Sequence, residues 1–141
     1  MFPQDKIPIK KSICVDGSCR GNPGPIQYRV VNYKTRSLIF ESKTYSMGTN
    51  IIAEFLAIVH GLAWADKNKL DWPIYSDCVA AMIWVKDKRI NTGLEVTAKT
   101  GELFGMINRA LIWLNDHHYT NEVLKWDTEK WGEIPADFGR K

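Results

Sequence analysis

The sequence predicts an α/β fold: a five-stranded mixed sheet, three antiparallel strands first, with helices on its faces. Three features predict it. Residues 12–45 hold three β-type runs and no helical periodicity. From Ile52 onward the apolar positions switch to helical spacing. Two later apolar runs, at residues 73–76 and 123–126, then alternate with further helical segments, as when strands are joined by helices.

In order, residues 1–11 are polar with two prolines and read as a flexible lead-in to one catalytic domain over residues 12–141. Ile13 and Val15 make residues 12–17 a short buried strand that breaks into the glycine-punctuated loop Gly17-Ser18-Cys19-Arg20-Gly21-Asn22-Pro23-Gly24. Residues 26–33 and 37–45 flank Lys34-Thr35-Arg36 and read as a hairpin. Phe55, Leu56, Val59, Leu62 and Ala63 trace a helix with Thr49 or Asn50 as its N-cap, ending by residues 70–73. Residues 73–76 form a strand leading to Asp77, and 79–87 a second helix with Met82, Ile83 and Trp84. Gly93 breaks the connector 89–100. A third helix spans about 102–115, with Leu103, Ile107, Ala110, Leu111 and Leu114 inward. A last strand precedes a tail, 131–141, whose Pro135 is expected to open a short closing helix that begins near Asp137.

Composition bounds the function. Charged residues are 25% and hydrophobic ones 45%, an ordinary globular balance with no apolar run of bilayer length, so no membrane partner is expected. A net charge of +3 permits nucleic-acid binding without arguing for it. Cys14, Cys19 and Cys78 are odd in number and match no zinc spacing, so reduced thiols are expected. With no secretion signal in residues 1–11, the location expected is cytoplasmic.

Four acids occupy strategic places in this layout. Asp16 and Asp77 end strands that become neighbours if the first and fourth strands are adjacent. Glu54 lies near the start of the first helix, on its buried side, and Asp137 near the chain's end with Glu133 just before it. Carboxylates that converge repel, and hard divalent cations remove that cost; oxygen-rich sites favour Mg²⁺ or Mn²⁺. A pair of such ions can activate water and stabilise the leaving oxygen of a phosphodiester.

At this point the sequence resembles type 1 ribonuclease H. The resemblance rests on Asp16-Gly17-Ser18 with Gly21-Asn22-Pro23-Gly24, Thr49-Asn50 followed by Glu54, and Ser76-Asp77. Lys125-Trp126 and the ending Trp131-Gly132-Glu133-Ile134-Pro135-Ala136-Asp137-Phe138-Gly139-Arg140-Lys141 are similar to a bacterial branch that lacks the longer histidine-bearing loop and basic protrusion of other members, as is Trp84-Val85-Lys86-Asp87-Lys88. The resemblance implies a ribonuclease H-like fold and an endoribonuclease that cleaves the RNA strand of RNA/DNA hybrids, leaving 5′-phosphate and 3′-hydroxyl ends. It implies two Mg²⁺ ions, replaceable by Mn²⁺, held by Asp16, Glu54, Asp77 and Asp137, with Glu133 as an auxiliary acid. Gly21, Asn22 and Asn50 are the residues implied to read the 2′-hydroxyl in the shallow minor groove. Thr49 and Thr92 are implied to hold a DNA-strand phosphate and Trp84 to pack on a deoxyribose, though an aromatic at helical spacing is also what a core uses. Lys86, Lys88 and Arg89 add a basic run nearby. A monomer without an obligate protein partner is expected, and without an amino-terminal hybrid-binding module.

Three positions depart from the family pattern: Ile51 where many relatives carry asparagine, Cys78 in place of serine, and Val79 where a glutamine often stands. None removes an implied metal ligand. Asp127 and Glu129 compete with Asp137 as the fourth acid, but only Asp137 is framed by the family's ending. His60, His117 and His118 do not occupy the family's loop-histidine position and read as surface or packing residues. Other readings remain: a DNA-strand transferase or junction resolvase, which also cluster acids, and a hybrid-binding domain without turnover. The Gly-Asn-Pro-Gly loop argues against the first and the complete acid set against the second.

Overall fold

The computed structural model describes residues 7–139. β1 (Ile13–Cys19) pairs antiparallel with β2 (Gly24–Asn32), which pairs antiparallel with both β3 (Leu38–Glu41) and β4 (Tyr45–Gly48). After α1 (Asn50–Lys67) the chain returns as β5 (Ile74–Ser76), parallel to β1. α2 (Val79–Asp87) and α3 (Gly101–Asp116) follow, then β6 (Val123–Lys125), parallel to β5, and the single turn α4 (Thr128–Trp131). The sheet order is β3-β2-β1-β5-β6, with β4 also on β2. Among the described residues no helix is long and apolar enough to cross a membrane.

The expected mixed sheet is present, with one refinement. The run expected as a single third strand is divided into β3 and β4, which both lie along β2. Ser42 causes the break: its Oγ accepts from Tyr28 N at 2.9 Å and donates to Lys43 O at 2.8 Å, so a side chain enters the backbone ladder. Ser42 is buried, which makes that satisfaction obligatory.

Strand alternation gives the sheet two apolar faces. Ile13, Val15, Val30 and Ile74 point toward α1, where Ile52, Phe55, Leu62 and the α3 residues Leu103, Ile107, Ala110 and Leu114 complete the larger core. Leu111, expected inward, is only partly buried beside it. Thr49 is the N-cap of α1, its side chain accepting from Ile52 N at 3.3 Å. Cys14, Val31 and Tyr75 point to the opposite face, against Trp126, Ile134 and Ala136.

That second face corrects one expectation. No helix opens at Pro135: residues 134–137 form a turn closed by Asp137 N donating to Ile134 O at 2.8 Å, and the short helix lies earlier, at α4. The N-cap of α4 is Asp127, whose carboxylate accepts from Lys130 N at 3.2 Å. The turn at 134–137 leaves both Ile134 and Ala136 buried on the face of Cys14, Val31, Tyr75 and Trp126. Residues 1–6 of the expected lead-in and the final Arg140 and Lys141 lie outside the described residues.

Candidate active site

Parallel pairing brings Asp16 and Asp77 together, although only Asp77 stands at a strand end. β1 does not break at Gly17 as expected but stays paired with β2 through Cys19, which puts Asp16 in mid-strand. Ile13 is level with Ile74 and Cys14 with Tyr75, so the same register carried two residues further sets Asp16 beside Asp77. Asp16 shares the face of Cys14 and is fully buried; Asp77, just past the end of β5, is half-buried.

Glu54 arrives from the other side of β1. Gly17 provides the passage: a Cβ there would stand 2.7 Å from Glu54 N and 2.8 Å from Ala53 Cβ, so any side chain would push α1 off the strand. The close approach lets Gly17 N donate to Glu54 Oε1 at 2.8 Å. Glu54 lies in the second turn of α1 rather than the first, and is 2% exposed. Carboxylate oxygens of Asp16, Glu54 and Asp77 all lie within 4.8 Å of one another.

This donor set fits a hard divalent cation. It consists of oxygen atoms only, and two of its three carboxylates are withdrawn from water, where unscreened repulsion is costly. The Cys78 thiol is not among the converging ligand atoms, and burial, reinforced by Glu54 and Asp77, raises its pKa.

Asp137 lies alongside that group rather than within it. The next residue anchors it: Phe138 N donates to Asp16 Oδ2 at 3.3 Å. The Asp137 Oδ2 atom accepts from Gly139 N at 2.8 Å. Glu133 is exposed on the same closing segment. Asp127 is occupied in capping α4.

The implied substrate-reading residues divide into two adjoining places. Arg20 N donates to Pro25 O at 3.0 Å and closes the loop, and a Cβ on Gly24 would collide with the Arg20 carbonyl. Asn22 Oδ1 accepts from Asn50 N at 3.0 Å, so the loop is tied to the start of α1, and Gly21 lies beside that tie. Thr49 and Thr92 line one open groove together with Pro23, Met47, Gly93 and Leu94. Trp84 is partly buried, its ring 6.0 Å from Phe55 in an edge contact.

The histidines serve packing. His60 Nδ1 is 3.0 Å from Tyr28 Oη and its ring stacks on Phe40 at 4.1 Å; burial lowers its pKa. His117 stacks on Trp113 at 4.4 Å, and His118 is exposed. One residue that sequence reasoning passed over is Arg29, cross-strand from Asp16. Its only sequence signal is the register of β1 with β2, which the loop at 20–23 does not settle before the pairing is seen.

Two solved structures share the fold. The RNase H1 of the halophilic archaeon Halobacterium salinarum NRC-1 is 20% identical, with 84% of this chain and 86% of that one covered at a TM-score of 0.51. LC11-RNase H1, isolated from compost by a metagenomic approach, is 21% identical, with 85% and 87% covered at a TM-score of 0.50. The family model described as RNase H matches residues 9–127, a span that contains Asp16, Glu54 and Asp77 and stops before Glu133 and Asp137. With the acid cluster inside that span, this chain belongs to the RNase H family.

Proposed function

We propose that this protein is an endoribonuclease that hydrolyses the RNA strand of RNA/DNA hybrids with two bound metal ions, leaving 5′-phosphate and 3′-hydroxyl ends. One observation carries the reading: in an RNase H family chain, Asp16, Glu54 and Asp77 converge within 4.8 Å. Asp16, Glu54, Asp77 and Asp137 are the ligands in this reading, and the exposed Glu133 is an auxiliary acid at their edge. Two Mg²⁺ ions, with Mn²⁺ as a substitute, would supply activation of the attacking water and neutralisation of charge at the leaving 3′-oxygen. The protein's part is to hold its carboxylates at fixed spacing on two adjacent strands, a helix and the closing segment.

Gly21, Asn22 and Asn50 read the 2′-hydroxyl; the hydrogen bond between Asn22 and Asn50 supports this by fixing both at one edge of the site. Thr49 and Thr92 hold a phosphate of the DNA strand, supported by their shared groove. Trp84 packs on a deoxyribose through the part of its ring that the core leaves exposed. The catalytic domain spans residues 12–141, works as a monomer, and falls in the bacterial branch marked by the Trp131–Lys141 ending. The free cysteines suit a cytoplasmic setting.

Cleavage of end-labelled hybrid with Mg²⁺, beside RNA/RNA and DNA/DNA duplexes, tests the reading. Cutting confined to the RNA strand of the hybrid is expected, with Asp77→Asn lowering the rate by about a hundredfold or more, the scale of a lost charge-stabilising ligand. Asp137→Asn should be similarly damaging and Asp127→Asn should not. Absence of cutting with either Mg²⁺ or Mn²⁺ would overturn the proposal.

A further inference from the structure

The closing segment carries Asp137 without a helix or strand to hold it, so something else fixes the position of that carboxylate. We infer that Arg29 is the positioning residue, acting through a single peptide group. This inference rests on the hydrolase reading for its effect on metal binding and stands apart from it for the clasp itself.

Arg29 lies on β2 directly opposite Asp16, and residues paired across antiparallel strands share a face. Its side chain therefore rises on the face that the closing segment covers. There the guanidinium does three things. Its Nε donates to Glu41 Oε1 at 2.7 Å, its Nη1 donates to Asp137 O at 3.1 Å, and its Cζ lies over the Phe138 ring, 4.2 Å from the centroid. Meanwhile Phe138 N donates to Asp16 Oδ2 at 3.3 Å. The carbonyl of Asp137 and the N–H of Phe138 belong to the same peptide plane. Arg29 holds one end of that plane and Asp16 the other.

Gripping a peptide at both ends fixes its orientation, and with it the direction in which the Asp137 side chain leaves the backbone. Glu41, cross-strand from Arg29 on β3, fixes the guanidinium in turn. The arrangement demands arginine. A lysine ammonium has no planar fork for Glu41 and the carbonyl together, and no flat face for Phe138. Arg29 thus acts on the site indirectly, as partners outside the ligand shell do when they orient the ligands.

The test compares Arg29→Ala, Arg29→Lys and Phe138→Leu with the native protein by two measurements, neither of which is activity. Calorimetric titration with Mn²⁺ alone reads the metal site. Amide hydrogen exchange at Phe138 and Gly139 reads the segment, with the buried α1 amides as the internal control. The expected result for Arg29→Ala is Mn²⁺ affinity weaker by about 10–100-fold, the range for lost outer partners, with faster exchange at Phe138 and Gly139 and none of that change in α1. Arg29→Lys should behave as Arg29→Ala, and Phe138→Leu should lie between it and native. Native affinity and exchange in Arg29→Ala, or full recovery in Arg29→Lys, would overturn the inference. If Arg29→Ala fails to fold, Phe138→Leu and Glu41→Gln decide by the same measurements, with unchanged exchange in both counting against it. If the native protein takes up no Mn²⁺, the hydrolase reading fails. The exchange data then judge the clasp alone: local acceleration upholds it, and native exchange in Arg29→Ala sinks it.

Discussion

Across one sheet, α1 and the closing segment cover their apolar residues by different means. α1 is an 18-residue helix whose backbone bonds are internal, and it meets Ile13, Val15, Val30 and Ile74 with aliphatic side chains. Among its described residues the closing segment has only the four of α4 as regular structure, so its backbone groups find partners one at a time. Gly132 O accepts from Trp126 Nε1 at 2.8 Å, Ile134 O from Asp137 N, and Asp137 O from Arg29. Tyr33, Tyr75 and Trp131 meet Trp126 edge-on, with centroids 5.7, 5.4 and 5.0 Å away. The difference is instructive for the site. Glu54 inherits its place from a helix that many residues hold, whereas Asp137 depends on a few named side chains.

Breaking the aromatic face should give the largest effect. Trp126→Ala is expected to lower unfolding stability by about 3–5 kcal/mol, measured in urea. Leu62→Ala on the other face should cost a comparable 2–5 kcal/mol, roughly. Only the tryptophan variant should also speed amide exchange at Phe138; equal exchange in the two would erase the contrast.

Gly17→Ala comes next. Its new Cβ would lie 2.7 Å from Glu54 N, and relief by moving α1 should cost about 1–3 kcal/mol. Because α1 carries Glu54, Mn²⁺ affinity measured by calorimetry should fall with it. A Gly17→Ala protein with native affinity would show that α1 tolerates displacement better than its buried face suggests.

His60 provides a smaller handle on the α1 side. Burial disfavours its imidazolium, so its folded pKa lies below the ordinary value near 6.5 and the unfolded chain protonates first on acidification. The stability that neutral His60 contributes is present above that ordinary value and is lost progressively as pH falls from there through the lower folded pKa. Melting temperatures compared between about pH 7 and pH 5 should therefore fall less steeply in His60→Gln than in the native protein. An identical slope would remove His60 from the account.

The least effect is expected where neither face changes. Ile51→Asn with Val79→Gln introduces two polar side chains at the starts of α1 and α2 and should, on the proposed function, lower the KM for hybrid severalfold with folding unaltered. A KM that stays or rises would mean that the departures at these positions do not weaken substrate contact.

The sequence reveals the two faces unequally. Apolar spacing from Ile52 to Leu62 reports that α1 packs on the sheet, but less than its full burial, since every residue from Ile52 to Val59 is enclosed, Glu54 included. Asp16 and Asp77 are readable as neighbours once β1 and β5 are taken as adjacent, but the continuation of β1 past Asp16 to Cys19 is not, because Gly17 looks like a strand breaker until its pairing with Tyr28 is seen. The closing segment has no such period. Pro135 favours a helix start locally, yet burial of Ile134 and Ala136 against Trp126 and Tyr75 outweighs it, a tertiary preference that no local window contains. Ser42 likewise resembles any polar strand residue until Tyr28 is seen bonded to its hydroxyl. Arg29 is hidden for the same reason. Its three contacts lie on β3 and at the far end of the chain, and nothing in its own neighbourhood announces them.

The parallel pairing of β1 with β5 has a kinetic consequence. Antiparallel neighbours such as β1 and β2 can zip from a nearby turn, but parallel strands meet only after the intervening chain has crossed back over the sheet. Closing so long a loop costs entropy before any contact repays it, and folds dominated by such contacts form slowly. Asp16 and Asp77 therefore share a site only once that crossover is closed. A chain arrested at the hairpin stage contains Asp16 but no constellation of acids, so metal uptake would report that the crossover is complete.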